Sequence, residues 1–167
     1  MAWSQTAPEL PSGSAWEQEK SISGWSNHWN FTGKLYIARL NGRQFAVKAE
    51  LTSANGSYGT YYPPAKWKLR CDVGGVTGTE DTSFSVTKGT TTFYFVGESG
   101  EGVTITANVG GVDAAVAVQT ATFTAPALLG STVFIKVGGV WKQATLYRKG
   151  GAWKNALAKF KAGGTWK

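Results

Sequence analysis

The sequence predicts an all-β chain: an antiparallel β-sandwich followed by a module of β-hairpin repeats. Three observations carry this. Apolar runs of strand length recur through residues 15–125 with glycine-containing turns between them, the spacing of antiparallel strands and not of strand–helix–strand units. Asn41-Gly42 stands between two apolar runs, the strongest short-range signal for a hairpin. In the last 35 residues a phrase of basic, any, Gly, Gly, any, Trp, Lys occurs three times, with its tryptophans 12 and 13 residues apart.

Taken in order, residues 1–14 contain Pro8, Pro11 and Ser12-Gly13-Ser14 and show no periodicity, which predicts an N-terminal arm that frays or docks on a neighbouring subunit. Trp3, Trp16, Trp25 and Trp29 are predicted to anchor this region to an apolar surface, with a Trp25 and Trp29 binding platform as the alternative. A short strand is predicted over Ala15–Ser23, then the hairpin Leu35–Leu40 and Arg43–Lys48 around Asn41-Gly42. The loop Ala54–Pro64 is rich in Gly, Ser and Tyr, and leads into the alternating strand Trp67–Val73. Two more hairpins are predicted. One joins Thr82–Thr87 to Thr91–Val96 around Lys88-Gly89, the other joins Val103–Val109 to Val112–Thr124 around Gly110-Gly111. Pro126 and Gly130 break the pattern, so residues 15–125 form the sandwich, of immunoglobulin-like or jelly-roll-like type, and 126–132 a linker. Only Asn155–Lys161 shows helical periodicity, and weakly.

Residues 133–167 hold the repeats. Gly-Gly supplies both positive-φ positions of a type I′ turn without steric cost. That register sets Val137 against Val140, Lys136 against Trp141, Arg148 against Trp153 and Lys161 against Trp166. Each pair places a cation by an indole, a contact of roughly 0.5–1 kcal/mol at an exposed site. Trp141 and Arg148 differ in parity along a straight strand, so a bend or bulge near residues 143–146 and another near 155–158 would restore equivalence of the repeats, and neither stretch has the Gly or Pro that marks one. A core this small also predicts packing on the body or on other copies of the chain.

The phrase Lys-x-Gly-Gly-x-Trp-Lys resembles repeats near the C-termini of tail fibre and other virion structural proteins of tailed bacteriophages. The resemblance covers residues 133–167. It implies a structural protein of the tail or another exposed appendage, made in the bacterial cytoplasm and carried on the virion, with a role in assembly, host-surface attachment or both. The implied partners are further copies in a homo-oligomer, other virion proteins, and host-surface glycans or anionic polymers.

Composition bounds the alternatives. Hydrophobic residues make up 42% of the 167, too many for a disordered chain. No apolar run reaches the length of a membrane span, and the N-terminus lacks the basic and apolar regions of a secretion signal. Cys71, the single cysteine, has no internal partner and reads as a small buried hydrophobe in its strand. Residues 133–167 carry eight basic residues and no acid, and the remainder carries 9 basic and 10 acidic, so a tail at +8 follows a body at −1. This basicity, with lysines interleaved among tryptophans, makes nucleic-acid binding one alternative function. A carbohydrate-binding module is the other.

Enzymatic chemistry has little support. His28 is the one histidine, and no Gly-x-Ser-x-Gly elbow or Gly-x-x-x-x-Gly-Lys phosphate loop is present. Gly97–Gly102 lacks the alternating ligands of a calcium loop. No catalytic, metal or cofactor residue is assigned. The candidate binding residues are Trp141, Trp153 and Trp166 with Lys136, Arg148 and Lys161, and the loop tyrosines Tyr58, Tyr61 and Tyr62, because aromatic faces on loops grip sugars and other ligands.

Overall fold

The computed structural model describes residues 2–61, 63, 66–78, 84–111 and 117–128, and beyond these chiefly the backbone of strands between 132 and 166. Among the described residues every element is a strand, and the paired strands are antiparallel. In chain order they are β1 (Trp3–Ser4), β2 (Glu17–Trp25), β3 (Trp29–Arg39), β4 (Gln44–Asn55), β5 (Trp67–Val73), β6 (Gly89–Glu98), β7 (Thr104–Gly111) and β8 (Gln119–Thr124). β9 (Thr132–Val137), β10 (Val140–Thr145), β11 (Tyr147–Gly150), β12 (Ala152–Asn155), β13 (Lys161–Ala162) and β14 (Thr165–Trp166) follow. One sheet has the order β1-β6-β4-β3-β2 and another β5-β7-β8, and the last six strands form three separate pairs.

Strand alternation builds one core shared by the two larger sheets. Odd-numbered residues of β3 and β4 face inward, so Leu35 lies opposite Ala49 and Ile37 opposite Val47, and β6 continues the layer with Phe93 and Phe95. The other sheet contributes Trp67, Leu69 and Cys71 from β5, Ile105 and Val109 from β7, and Phe123 from β8. At the junction the Trp67 ring meets Trp29 at 5.3 Å and Phe31 at 5.4 Å, both edge-on. Each such buried side chain contributes about 1.5–3 kcal/mol. Gly97 faces this core, where a Cβ would lie 2.8 Å from both the Phe45 and Phe95 rings.

The Asn41-Gly42 hairpin forms, with a detail that sets its register. Leu40 N donates to Gln44 O at 2.8 Å and Gln44 N to Asn41 O at 3.0 Å, with Gly42 at φ +57°. The connection is therefore three residues long. A two-residue turn would place Leu35 opposite Lys48 and drive a cation toward the core.

Several elements differ from the sequence reading. The N-terminal arm docks on its own chain: Trp3 pairs with Phe95 at the edge of β6 and is buried, its ring 5.7 Å from that phenyl group. The Lys88-Gly89 hairpin does not form. Gly89 opens β6, which pairs with β4 because Val47 and Ala49 offer Phe95 and Phe93 a buried partner strand. The Phe84–Val86 segment instead adjoins the start of β5, with Trp67 N donating to Phe84 O at 2.8 Å and Ser85 bridging Lys66. Thr82 and Ser83 lie outside the described residues. Gly110 and Gly111 are not a turn but the end of β7, opposite Lys68 and Trp67 of β5. β7 still pairs with β8, Val109 against Gln119. Residues 112–116 of that connection, the linker residues 129–131 and the weakly helical stretch 156–160 are outside the described residues.

Two side chains tie the sheets together. Gln18, at φ +56° within a bulge of β2, donates from Nε2 to Thr124 O at 2.7 Å and accepts from Thr124 N at 3.0 Å. Its amide thus replaces a missing strand at the end of β8. Arg39, buried at the end of β3, donates to the carbonyls of Arg43, Ser99 and Pro126 at 2.9, 3.1 and 3.1 Å.

In the C-terminal pairs the expected register holds for the first and third copies of the phrase. Lys136 is opposite Trp141, Val137 opposite Val140, and Lys161 opposite Trp166. The second copy differs: Gly150 pairs with Ala152, so Lys149 and not Arg148 is opposite Trp153, and Arg148 is opposite Lys154. One residue instead of two separates the paired glycine and alanine. The shift puts Trp141, Lys149 and Trp153 at positions of one parity, and Leu146, at the end of the stretch expected to bend or bulge, lies outside the described residues.

Candidate functional site

The surface that stands out lies where β2, β3 and β4 end together. Ser26 closes the β2–β3 turn: its Oγ accepts from Trp29 N at 3.0 Å, and its own N donates to Asn30 Oδ1 at 3.0 Å. The loop after β4 folds on itself, Gly56 N donating to Thr60 O at 2.7 Å. It then docks on the turn through Ser57 N to Ser26 O at 3.1 Å and Tyr58 N to Asn27 O at 3.0 Å. Gly56 makes this approach possible, since a Cβ there would lie 2.3 Å from both Asn27 O and His28 N.

The predicted tyrosines divide. Tyr58 is 67% exposed and stands edge-on to His28 at 5.5 Å, while His28 Nδ1 lies 3.2 Å from Thr60 Oγ1. Tyr61 turns inward. Its hydroxyl lies 3.0 Å from Ser53 Oγ, which also accepts from Trp29 Nε1 at 2.5 Å. Tyr62 lies outside the described residues. Trp29 is core, so it cannot form a platform with Trp25, which is 74% exposed.

Trp25 belongs to a second surface, the outer face of the five-stranded sheet. Along β2, Ile22 and Gly24 are buried while Ser21, Ser23 and Trp25 are exposed. The register extends this face across the sheet, with Ser23 opposite Thr32 and Thr32 opposite Thr52, then Ser21 opposite Lys34 and Lys34 opposite Glu50. A concavity of about 620 Å³ lies over these residues and Thr90. Its polar groups are ordered: Thr52 and Thr90 hydroxyls are 2.7 Å apart, Lys34 meets Glu19 at 2.9 Å, and Lys48 meets Glu50 at 3.0 Å. Lys34 first, and then the Tyr36 hydroxyl, hold the Glu19 carboxyl below the ordinary carboxylate range by hydrogen bonds. Lys48 lies 4.2 Å above the Tyr36 ring and covers it. Sequence reading missed this face; the alternation of Ser21 to Trp25 was the signal that could have found it.

On the other sheet, Lys68, Arg70, Asn108 and Thr120 line a smaller concavity of about 270 Å³. Arg70 pairs with Asp72 at 3.1 Å, and Asn108 donates to the same carboxylate at 3.1 Å. Cys71 is buried beneath, and burial pushes its thiol up to about 12, so it stays protonated and unreactive. Among the described residues no group of three His, Cys, Asp or Glu is placed to hold a metal, and no helix is long and apolar enough to cross a membrane.

The remaining predicted residues lie on the C-terminal strands: Lys136 with Trp141 and Lys161 with Trp166 at paired positions, Arg148 and Trp153 on paired strands but one register apart. In comparisons with known proteins, no family model, curated protein or solved structure matches the chain.

Proposed function

We propose that this chain is a non-enzymatic structural protein of a bacteriophage virion, borne on the tail or another exposed appendage and used in assembly and host-surface attachment. The observation that carries the reading is the thrice-repeated Lys/Arg-x-Gly-Gly-x-Trp-Lys phrase of residues 133–167. In this reading those residues form a three-copy hairpin module, and residues 15–125 an antiparallel sandwich of immunoglobulin-like or jelly-roll-like type. Antiparallel pairing at each copy, and two sheets around one core, support it. Further copies of the chain and other virion proteins are the assembly partners, and the +8 tail with its indoles contacts an envelope polymer.

The competing reading for a basic tail is nucleic-acid binding, in which affinity falls by orders of magnitude between low and physiological salt and polymer identity matters little. Replacing Trp141, Trp153 and Trp166 with leucine keeps every charge and separates the two. Adsorption of particles to host cells is expected to fall while retention of DNA is little changed. Adsorption that survives in a folded, assembled variant would restrict these indoles to a structural role.

A further inference from the structure

The outer face of the five-stranded sheet is unused by the reading above, and it carries a ligand argument of its own. A polar sheet face is ordinary. An indole left 74% exposed at its end is not, when Trp3, Trp29 and Trp67 of the same body are buried. Trp25 stands on the same side of β2 as Ser23 and Ser21, which line the polar concavity, so the ring lies on that face beside the lining residues and not among them. The span from Trp25 to Ser21 is four residues of strand, about 13 Å, longer than one sugar ring. The concavity of about 620 Å³ falls within the range of small-ligand sites.

Chemistry narrows the ligand. A flat aromatic ring beside hydroxyls suits a molecule with an apolar face and a polar rim, which describes a pyranose. The charged groups around the concavity are already neutralised in pairs, Lys34 by Glu19 and Lys48 by Glu50, so no net field selects a phosphate or a carboxylate. The backbone that carries the ring is fixed in advance of binding. The Ser26 turn and the docked Gly56–Tyr58 loop fix the end of β2, which lowers the ordering cost on association.

We propose that this face binds a neutral oligosaccharide along β2 and β3, one sugar ring stacked on Trp25 and the next hydrogen-bonded to Ser23, Thr32, Thr52 and the Lys34 and Glu50 head groups. It uses residues separate from the C-terminal indoles and holds whether or not the chain belongs to a virion.

The test is titration of the purified full chain with neutral oligosaccharides of four or more units built from glucose, galactose, mannose or N-acetylglucosamine, followed by calorimetry and tryptophan fluorescence. Heparin and single-stranded DNA serve as anionic probes. At least one neutral oligosaccharide is expected to bind and change the fluorescence. Trp25→Ala is expected to weaken it tenfold or more. The double substitution Thr32→Val with Thr52→Val keeps shape and strand preference while deleting two hydroxyls, and is expected to weaken binding severalfold. Because all three positions are on the outer face, thermal unfolding of each variant reports whether the fold is intact. Should a variant unfold early, chemical-shift changes on saccharide addition to the unaltered chain decide the matter, and they are expected at Ser21–Trp25 and Thr32–Lys34. Failure of every neutral saccharide to bind, or binding unaffected in both folded variants, or shifts confined to other surfaces, overturns the proposal. Loss of host adsorption in the C-terminal variants with saccharide binding intact would bear on the virion reading alone.

Discussion

Arg39 is 2% exposed, and its guanidinium donates to four main-chain carbonyls: Arg43, Ser99 and Gly100 at 2.9, 3.1 and 3.4 Å, and Pro126 through both Nε and Nη2. Burial lowers its pKa from the ordinary value, with Glu101 opposing the shift. The planar fork is suited to collecting carbonyls that arrive from different segments. Replacing Arg39 with methionine removes the donor to the Ser99, Gly100 and Pro126 carbonyls, while Arg43 O keeps the Ser99 N–H, and a loss of about 1–3 kcal/mol is expected from urea unfolding with an unchanged m-value. Arg39→Lys should recover only part of it, since a single ammonium cannot reach all of them. None of this was legible in Ala38-Arg39-Leu40. An arginine next to a turn reads as solvent-facing, and the carbonyls that hold it come from residues 43, 99, 100 and 126.

At the scale of elements, the sequence marks where a backbone can turn but not which strand it will meet. The Asn41-Gly42 hairpin was legible because both of its strands are local and apolar. Lys88-Gly89 and Gly110-Gly111 carry the same kind of signal, yet β6 finds β4 and Gly111 finds Trp67, partners chosen by burial across long separations. The docked loop after β4 depends on another glycine, Gly56. Alanine there would press on Asn27 O and His28 N, backbone atoms that cannot yield, so the loop must leave the turn. A loss of about 1–3 kcal/mol is expected, as for overpacking in a core. Proteolysis between Ser57 and Thr60 should accelerate, and the Tyr58 ring resonances should lose their nuclear Overhauser contacts with His28. A protease-resistant loop in Gly56→Ala would show that the docking tolerates a side chain.

For the whole molecule, the all-β class and antiparallel pairing were legible from alternation and turn spacing, whereas the bonds made by residues 125 and 126 were not. Ala125 is buried and bonded both ways, accepting from Gly102 N at 3.0 Å and donating to Val103 O at 2.8 Å, and Pro126 O is held by Arg39. A chain ending at Thr124 discards these contacts and one ending at Leu128 keeps them. Both are expected to unfold cooperatively on heating, the longer with the higher midpoint by several degrees. Equal midpoints would show that the contacts of Ala125 and Pro126 add nothing to the body.

Gln18 also has a mechanical consequence. β8 is an edge strand, held on one side by β7, and its last pair is Thr124 with Thr104. Tension drawn through the C-terminal segment passes Pro126 and the Ala125 bonds to Gly102 and Val103, then reaches that pair and opens antiparallel pairs one after another, the way a zipper yields. Gln18 grips both backbone groups of Thr124, and Arg39 grips Pro126, on the residues through which the pull arrives. Both grips come from the opposite sheet, so the five-stranded sheet shares the load before the first bond between β7 and β8 is stretched.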